Sequence, residues 1–373
     1  MRARVNPFVV PGAVPEAPHA AVRAFHRSLP GYQPTPLHRL PAFASAVGLG
    51  DLYVKDEGRR FGLLAFKVLG ASWALHRLRV RSRAFTTVSA ATEGNHGRAV
   101  AWSARRLGLE AVIYIRRAAA PFRVRRIEAE GARVVLVDGS YQDAVLRCAS
   151  DSAANGWQVV SDTGYPGYLE IPHWIAEGYS TLFHEVDEQL RDGGLPPPDL
   201  VIVQAGVGGL LHAAVDHWRS RTEPPTLVCV EPVQADPLLE SINTPEGDPV
   251  PTRGRVDSIM AGLNAGMPSL SAWPVVRRGV ELFLAIEDRY AEEAMRRLAR
   301  PARGDPAVTA GESGAAGVAA LLALGEAHEL ARAREFLRLP GDRRALVIVS
   351  EGATDPESYE RIVGQVPGAI LKS

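Results

Sequence analysis

The sequence predicts an α/β protein of two domains, with mainly parallel sheets flanked by helices, and three observations carry that prediction. Short apolar runs rich in β-formers recur along the chain: AVIYI (111–115), RVVLV (133–137), WQVV (157–160), DLVIVQA (199–205), TLVCVE (226–231) and RALVIVS (344–350). Segments of helical period lie between them, at 97–107, 121–130, 142–154, 171–190, 208–220, 289–300 and 312–324. Strands apolar on both faces and separated by helices belong to parallel sheets built from βαβ units. The third observation is length: 373 residues suffice for two domains. Residues 85–162 make a self-contained α/β run and are assigned to a small domain; 1–84 and 163–373 together form a larger, discontinuous one.

Residues 1–36 are rich in proline and read as an extended arm. The stretch RFGLLAFKVLGASWAL (60–75) follows, with one lysine on an otherwise apolar helix. A lysine between Phe66 and Val68 either snorkels to water or is kept uncharged for Schiff-base chemistry, its pKa lowered by the apolar surroundings. Next, SAATEGNHGRAVAW (89–102) reads as a strand end, a polar loop and a helix start. Asn95 and His96 there are candidate helix caps, yet Thr92, Glu93, Asn95 and His96 exceed what capping needs and suit a carboxylate and an aromatic hydroxyl. Asp162, in VVSDTG, follows a strand end, where α/β sheets place ligands; a turn aspartate is the competing reading.

QAGVGGL (204–210) joins a strand to a helix. Gly206, Val207, Gly208 and Gly209 would aim backbone N–H groups into one concavity at a helix N-terminus, the way a phosphate is held without a charged side chain. The spacing excludes a dinucleotide fingerprint, since Leu211 stands where glycine is needed, and excludes a P-loop. A phosphate monoester fits best. Residues 232–287 read as an irregular cover over a site, Glu312 and Ser313 as the first turn of a helix, and Ser350, Glu351 and Thr354 as exposed at the end of the last strand.

Composition removes several function classes. Forty-two basic residues balance forty-two acidic ones, so nothing electrostatic favours nucleic acid or an anionic membrane. No apolar run is long enough for a bilayer and no signal-peptide pattern opens the chain, so the expectation is cytoplasmic. Cys148 and Cys229 have no metal-ligand spacing, HEVDE (184–188) lacks a second histidine at zincin spacing, and no G-x-S-x-G elbow occurs, so no metal is expected. Lys67, the glycine loop and the Asn95 loop together are instead what pyridoxal phosphate requires: an amine for the imine, a cradle for phosphate and a partner for the ring hydroxyl.

Read as a set, RFGLLAFKVLGAS, ATEGNHGRAVAW, DTGYPGYLEIPHWIAEGY, QAGVGGL, IMAGLNAGMPS and SEGATDP resemble the diaminopropionate ammonia-lyases, pyridoxal-phosphate enzymes of the tryptophan-synthase β-type fold (fold type II). The resemblance implies that the large domain binds the cofactor, that Lys67 is the Schiff-base lysine, that residues 206–209 hold the phosphate and that Asn95 meets the ring hydroxyl. Ser350, with Thr354 as competitor, would meet the pyridine nitrogen. Asp162 would serve as acid or base on an L-substrate and Glu93 on a D-substrate, with Thr92, His96 and Glu312 binding substrate. The implied reaction is α,β-elimination of 2,3-diaminopropionate to pyruvate and ammonia by a homodimer. Glu93 stands where the family generally has aspartate, which predicts a preference for the L-enantiomer. Rival expectations are a serine/threonine-type dehydratase, a lyase for another β-substituted amino acid, or a non-catalytic binder of cofactor or amino acid.

Overall fold

A computed structural model describes residues 1–10, 19–92, 94–119 and 121–367. The strands are β1 (Arg2–Val5), β2 (Leu37–Arg39), β3 (Asp51–Asp56), β4 (Thr87–Ala91), β5 (Glu110–Arg116), β6 (Arg133–Val137), β7 (Gln158–Val159), β8 (Leu200–Gln204), β9 (Thr226–Pro232), β10 (Leu282–Ile286) and β11 (Arg344–Val349). They form a seven-stranded sheet, β1-β10-β9-β8-β11-β3-β2, and a four-stranded sheet, β6-β5-β4-β7. All pairings are parallel except β1 with β10 and β2 with β3, the two edges of the larger sheet. The smaller sheet takes its strands from 87–159, and the larger from both sides of that segment.

The helices that build the site are α3 (Lys67–Arg81), α4 (Asn95–Arg106), α7 (Glu170–Asp192) and α8 (Gly209–Arg219); α1 (His19–Ser28), α2 (Pro41–Ala46), α5 (Pro121–Glu128) and α6 (Tyr141–Asn155) complete the first eight. β8, β10 and β3 are buried at every position, as strands covered on both faces must be. One apolar cluster runs from Val88 and Ile113 of the smaller sheet through Leu69 and Tyr179 to Val201 and Phe283 of the larger.

Two expectations need correction, and β3 went unpredicted. The N-terminal segment is not simply an extended arm, because β1 pairs with β10 and α1 docks on α7. Val22 is buried, Phe8, Phe25 and Leu29 pack on the same core, and His26 sits between the Thr181 hydroxyl and the Leu69 carbonyl. Residues 232–287 hold a helix, Pro237–Ile242, another, Trp273–Gly279, and β10. β3 was hidden by its charges: Lys55 in DLYVKD is fully buried because its ammonium donates to Glu185 at 2.7 Å, to the Thr35 carbonyl and to Gln189. Arg60, also buried, spans Glu57 and Glu185, so a paired cluster replaces the solvation these groups lose.

Candidate active site

Two distant sequence segments meet first. The Phe66 N–H donates to the Ser350 carbonyl at 3.1 Å, and the Gly352 N–H donates to the Leu64 carbonyl at 2.9 Å. Ala65 and Glu351 form the bridge between them. This places the end of β11 against the turn that launches α3, and in that turn Phe61 and Leu64 take left-handed backbone (φ 48° and 61°), an unfavourable conformation for side-chain-bearing residues. Lys67 is the first residue of α3. The helix is located by a close crossing with α7: a Cβ on Gly70 would lie 2.6 Å from the Ile175 carbonyl oxygen, and one on Gly178 2.5 Å from that of Leu69.

The Lys67 ammonium donates to Asp162 Oδ2 at 2.7 Å, beside the rings of Phe66 and Tyr179. Each side chain of the pair keeps 21% of its surface exposed. Burial works against the ammonium, but the Asp162 carboxylate outweighs it, and the lysine pKa is raised above its usual value. This corrects the expectation of a lowered pKa: apolar neighbours surround the stem, while the tip has an anion. Burial likewise works against the Asp162 carboxylate, and Lys67 overrides it, holding the acid well below the ordinary range.

His96 turns inward. It is buried, its Nε2–H donates to the Val160 carbonyl at 2.9 Å, and its Nδ1 lies 3.9 Å from Asp162 Oδ2. A carbonyl only accepts, so Nδ1 is the unprotonated nitrogen of the neutral ring; burial lowers the imidazole pKa and keeps it neutral. Asn95 opens α4 rather than capping it, and its amide donates to Glu351 Oε2. Glu351 also accepts from the Thr354 hydroxyl at 3.1 Å and from the Ser313 N–H at 3.3 Å. Ser350 and Glu351 are buried, not exposed, and the Ser350 hydroxyl accepts from the Gln204 amide at 2.9 Å. Thr92 Oγ1 accepts from the Gly94 N–H at 3.3 Å. Glu93 lies outside the described residues.

Glu312 does not start a helix; that helix begins at Ala316, and Glu312 is buried in the turn before it. Burial raises its pKa, with Glu351 and Asp355 adding to the rise and Ser358 opposing it. His184, Asp187 and His217 place ligand atoms within 4.8 Å of one another, an arrangement their spacing does not signal. Arg221 donates to both Asp187 and His217 there.

The glycine loop leaves β8 and enters α8. Gly208 has φ +97°, and a Cβ on it would meet Leu238 at 3.4 Å and Ala272 at 3.5 Å. Ser269 stitches this loop to Asp162's loop: its N–H donates to the Val207 carbonyl at 2.9 Å, and its Oγ accepts from the Gly164 N–H at 2.7 Å. Sequence reasoning passed over Ser269 and Tyr179, although both stand inside motifs that signalled the family. Chain turn, amine, buried strand-end hydroxyl and a glycine-rich helix N-terminus fit pyridoxal phosphate, which Lys67 and the 206–209 backbone would hold. Gly208→Asp is expected to weaken cofactor binding by at least about 2 kcal/mol, adding a strained side chain and an anion to an anion's seat. A titration with pyridoxal phosphate checks this, and an unchanged affinity would refute the cradle.

Known proteins resemble this chain over most of its length. The family model described as pyridoxal-phosphate dependent enzyme matches residues 29–350. Diaminopropionate ammonia-lyase of Salmonella typhimurium is 37% identical over 92% of this chain and 91% of its own. The Escherichia coli diaminopropionate ammonia-lyase in complex with D-serine superposes with a TM-score of 0.90 at 35% identity, covering 97% of this chain and 96% of that one. The same enzyme in complex with an aminoacrylate-PLP azomethine reaction intermediate gives a TM-score of 0.88 at 36% identity, with the same coverage. The chain is therefore a pyridoxal-phosphate-dependent enzyme and belongs to the diaminopropionate ammonia-lyase family.

Proposed function

We propose that this enzyme eliminates ammonia from 2,3-diaminopropionate to give pyruvate and ammonia, and that it prefers the L-enantiomer. The observation that carries the proposal is the Lys67–Asp162 pair, 2.7 Å apart and tied through Ser269 to the glycine loop. When bound, pyridoxal phosphate supplies the electron sink for negative charge at the substrate's α-carbon. The protein's own residues do the rest. Lys67 carries the reactive amine. Asp162, ionised beside it, is placed to receive a proton from the α-carbon or to hold the substrate's cationic β-amino group until it leaves. A dehydratase has no need of that second service, because its leaving group is a neutral hydroxyl.

In the same proposal Asn95 and Ser350 contact the cofactor ring, with Thr354 the alternative to Ser350, and Thr92 and His96 sit at the substrate end. Glu312 remains a substrate-binding candidate through its neighbour Glu351. The division into 85–162 and the remainder is supported by the two sheets' separate membership. The proposal keeps the homodimer that the resemblance implies and the cytoplasmic setting expected from the sequence; both cysteines are buried and free of disulfides. No helix among the described residues is long and apolar enough to cross a membrane.

The handedness follows from geometry. With carboxylate and amine anchored alike, the α-hydrogens of the two enantiomers point opposite ways, so one base does not reach both. Asp162 would serve the L-form. Glu93 would serve the D-form with a side chain one methylene longer than the family's aspartate, and misplacement of ~1 Å costs on the order of a hundredfold. The test is ammonia release by the holoenzyme with D- and L-diaminopropionate, serine and threonine. L-diaminopropionate should be fastest, and Glu93→Asp should raise the D-rate. Serine or threonine outpacing both enantiomers would establish the dehydratase reading, while equal rates on both enantiomers would remove the L-preference.

A further inference from the structure

Tyr179 is a buried phenol with no assigned task. It lies on α7 with 1% of its surface exposed; its hydroxyl oxygen has the Lys67 ammonium as a polar neighbour, and its hydrogen has no acceptor among the described residues. Leaving a buried O–H hydrogen without an acceptor is costly, and a phenylalanine would fill the same space without that cost. Its surroundings are specific. The ring packs on Phe66 at 4.6 Å between centroids, and the Lys67 ammonium lies 5.8 Å from the ring centre. A Cβ on Gly70 of α3 would touch one carbon flanking the hydroxyl-bearing carbon, Cε1, at 2.5 Å. A Cβ on Gly209, the first residue of α8, would lie 3.6 Å from the other, Cε2.

The hydroxyl therefore occupies the gap between the start of α3 and the N-terminus of α8. Burial raises the phenol's pKa, so it carries its proton at neutral pH. An ammonium has no lone pair, so Lys67 is able only to donate to the phenol oxygen, never to accept from it. The O–H hydrogen still needs an acceptor, and the seat beside it is the end of a helix where anions collect.

We propose that Tyr179 is a positioning residue whose hydroxyl donates to the phosphate of the cofactor, adding one side-chain donor to the backbone cradle of residues 206–209 and linking that anion to the reactive lysine. The inference rests on pyridoxal phosphate as the cofactor and on this chain's own geometry around Tyr179.

Tyr179→Phe keeps the ring and deletes only the donor. The full-length wild-type chain and the variant, both stripped of cofactor, are titrated with pyridoxal phosphate and with pyridoxal, which lacks the phosphate. The variant should bind pyridoxal phosphate about 10- to 100-fold more weakly, the loss of one hydrogen bond to a charged group, and should bind pyridoxal as the wild type does. Inorganic phosphate should compete with pyridoxal phosphate less effectively on the variant. An equal loss for both ligands would place the phenol's action at Lys67 or the ring and overturn the proposal. So would unchanged affinity for both. A wild-type chain that bound neither would overturn the cofactor assignment along with it.

Discussion

Lys67→Ala is expected to abolish the covalent, borohydride-reducible link between protein and cofactor and to lower the elimination rate by on the order of a thousandfold or more. The helix should survive the change. Lys67 is the first residue of α3, alanine is the best helix former, and the crossing at Gly70 and Gly178 holds the helix without the lysine. What is lost is the amine that lies 2.7 Å from Asp162. The carboxylate left behind keeps about a fifth of its surface exposed, so water takes over part of the lost pairing. Mass analysis after borohydride reduction reads the outcome directly. A link that persisted in the variant would show that another residue carries the cofactor.

Asp162→Asn is expected to lower the rate on L-diaminopropionate by on the order of a hundredfold while leaving cofactor affinity near that of the wild type. The amide matches the carboxylate in shape but neither takes a proton nor holds a cation. It also removes the charge that raises the Lys67 pKa, so with the lysine free its ammonium should lose its proton at lower pH than in the wild type. The sign for stability follows from the same two shifts. Asp162 is depressed and Lys67 raised, so the pair stabilises the fold fully between the ordinary carboxylate and lysine values, about pH 4 to about pH 10.4. Its contribution is lost on the acid side as Asp162 takes a proton and on the alkaline side as Lys67 gives one up. The variant should lack both edges in a denaturation series across pH. Full activity on the L-substrate in Asp162→Asn would leave Lys67 as the base.

The strands legible in the sequence were those whose chemistry is uniform. RVVLV coincides with β6, and the apolar runs before QAGVGGL and SEGATDP end within a residue of β8 and β11. β3 escaped because Lys55 looks solvated until Glu185, from a helix some 130 residues later in the chain, supplies the missing charge, and Asp56 until Arg59 and the Gly58 N–H meet it. β1 escaped because an exposed edge strand, RARV, carries no apolar pattern of its own. The site shows the same division. Lys67, Asp162 and the glycine loop were visible because each is an anomaly in its local pattern. Glu351 was visible as a residue but its burial was not, since the Asn95 amide, the Thr354 hydroxyl and the Ser313 N–H reach it from three separate segments. Tyr179 looked like any aromatic on an amphipathic helix, and its unmet donor beside Lys67 and the start of α8 distinguishes it.

The way α3 is shared between the two sheets has a mechanical consequence. The chain leaves the larger sheet's layer at the end of α3 and returns at the start of α7, where Arg81 and Glu170 pair. α3 also packs along α4, so the smaller sheet rests on a broad apolar face rather than hanging from a bare linker. Any relative displacement of the sheets is therefore a shear of α4 along α3, anchored where the chain crosses twice. On the far side the restraints are polar and breakable: Asn95 to Glu351, Arg98 to the Leu63 carbonyl, and Arg126 to the Thr354 carbonyl. All three cross at the segments flanking Lys67 and Ser350, so a shear breaks bonds in the segments that frame the amine.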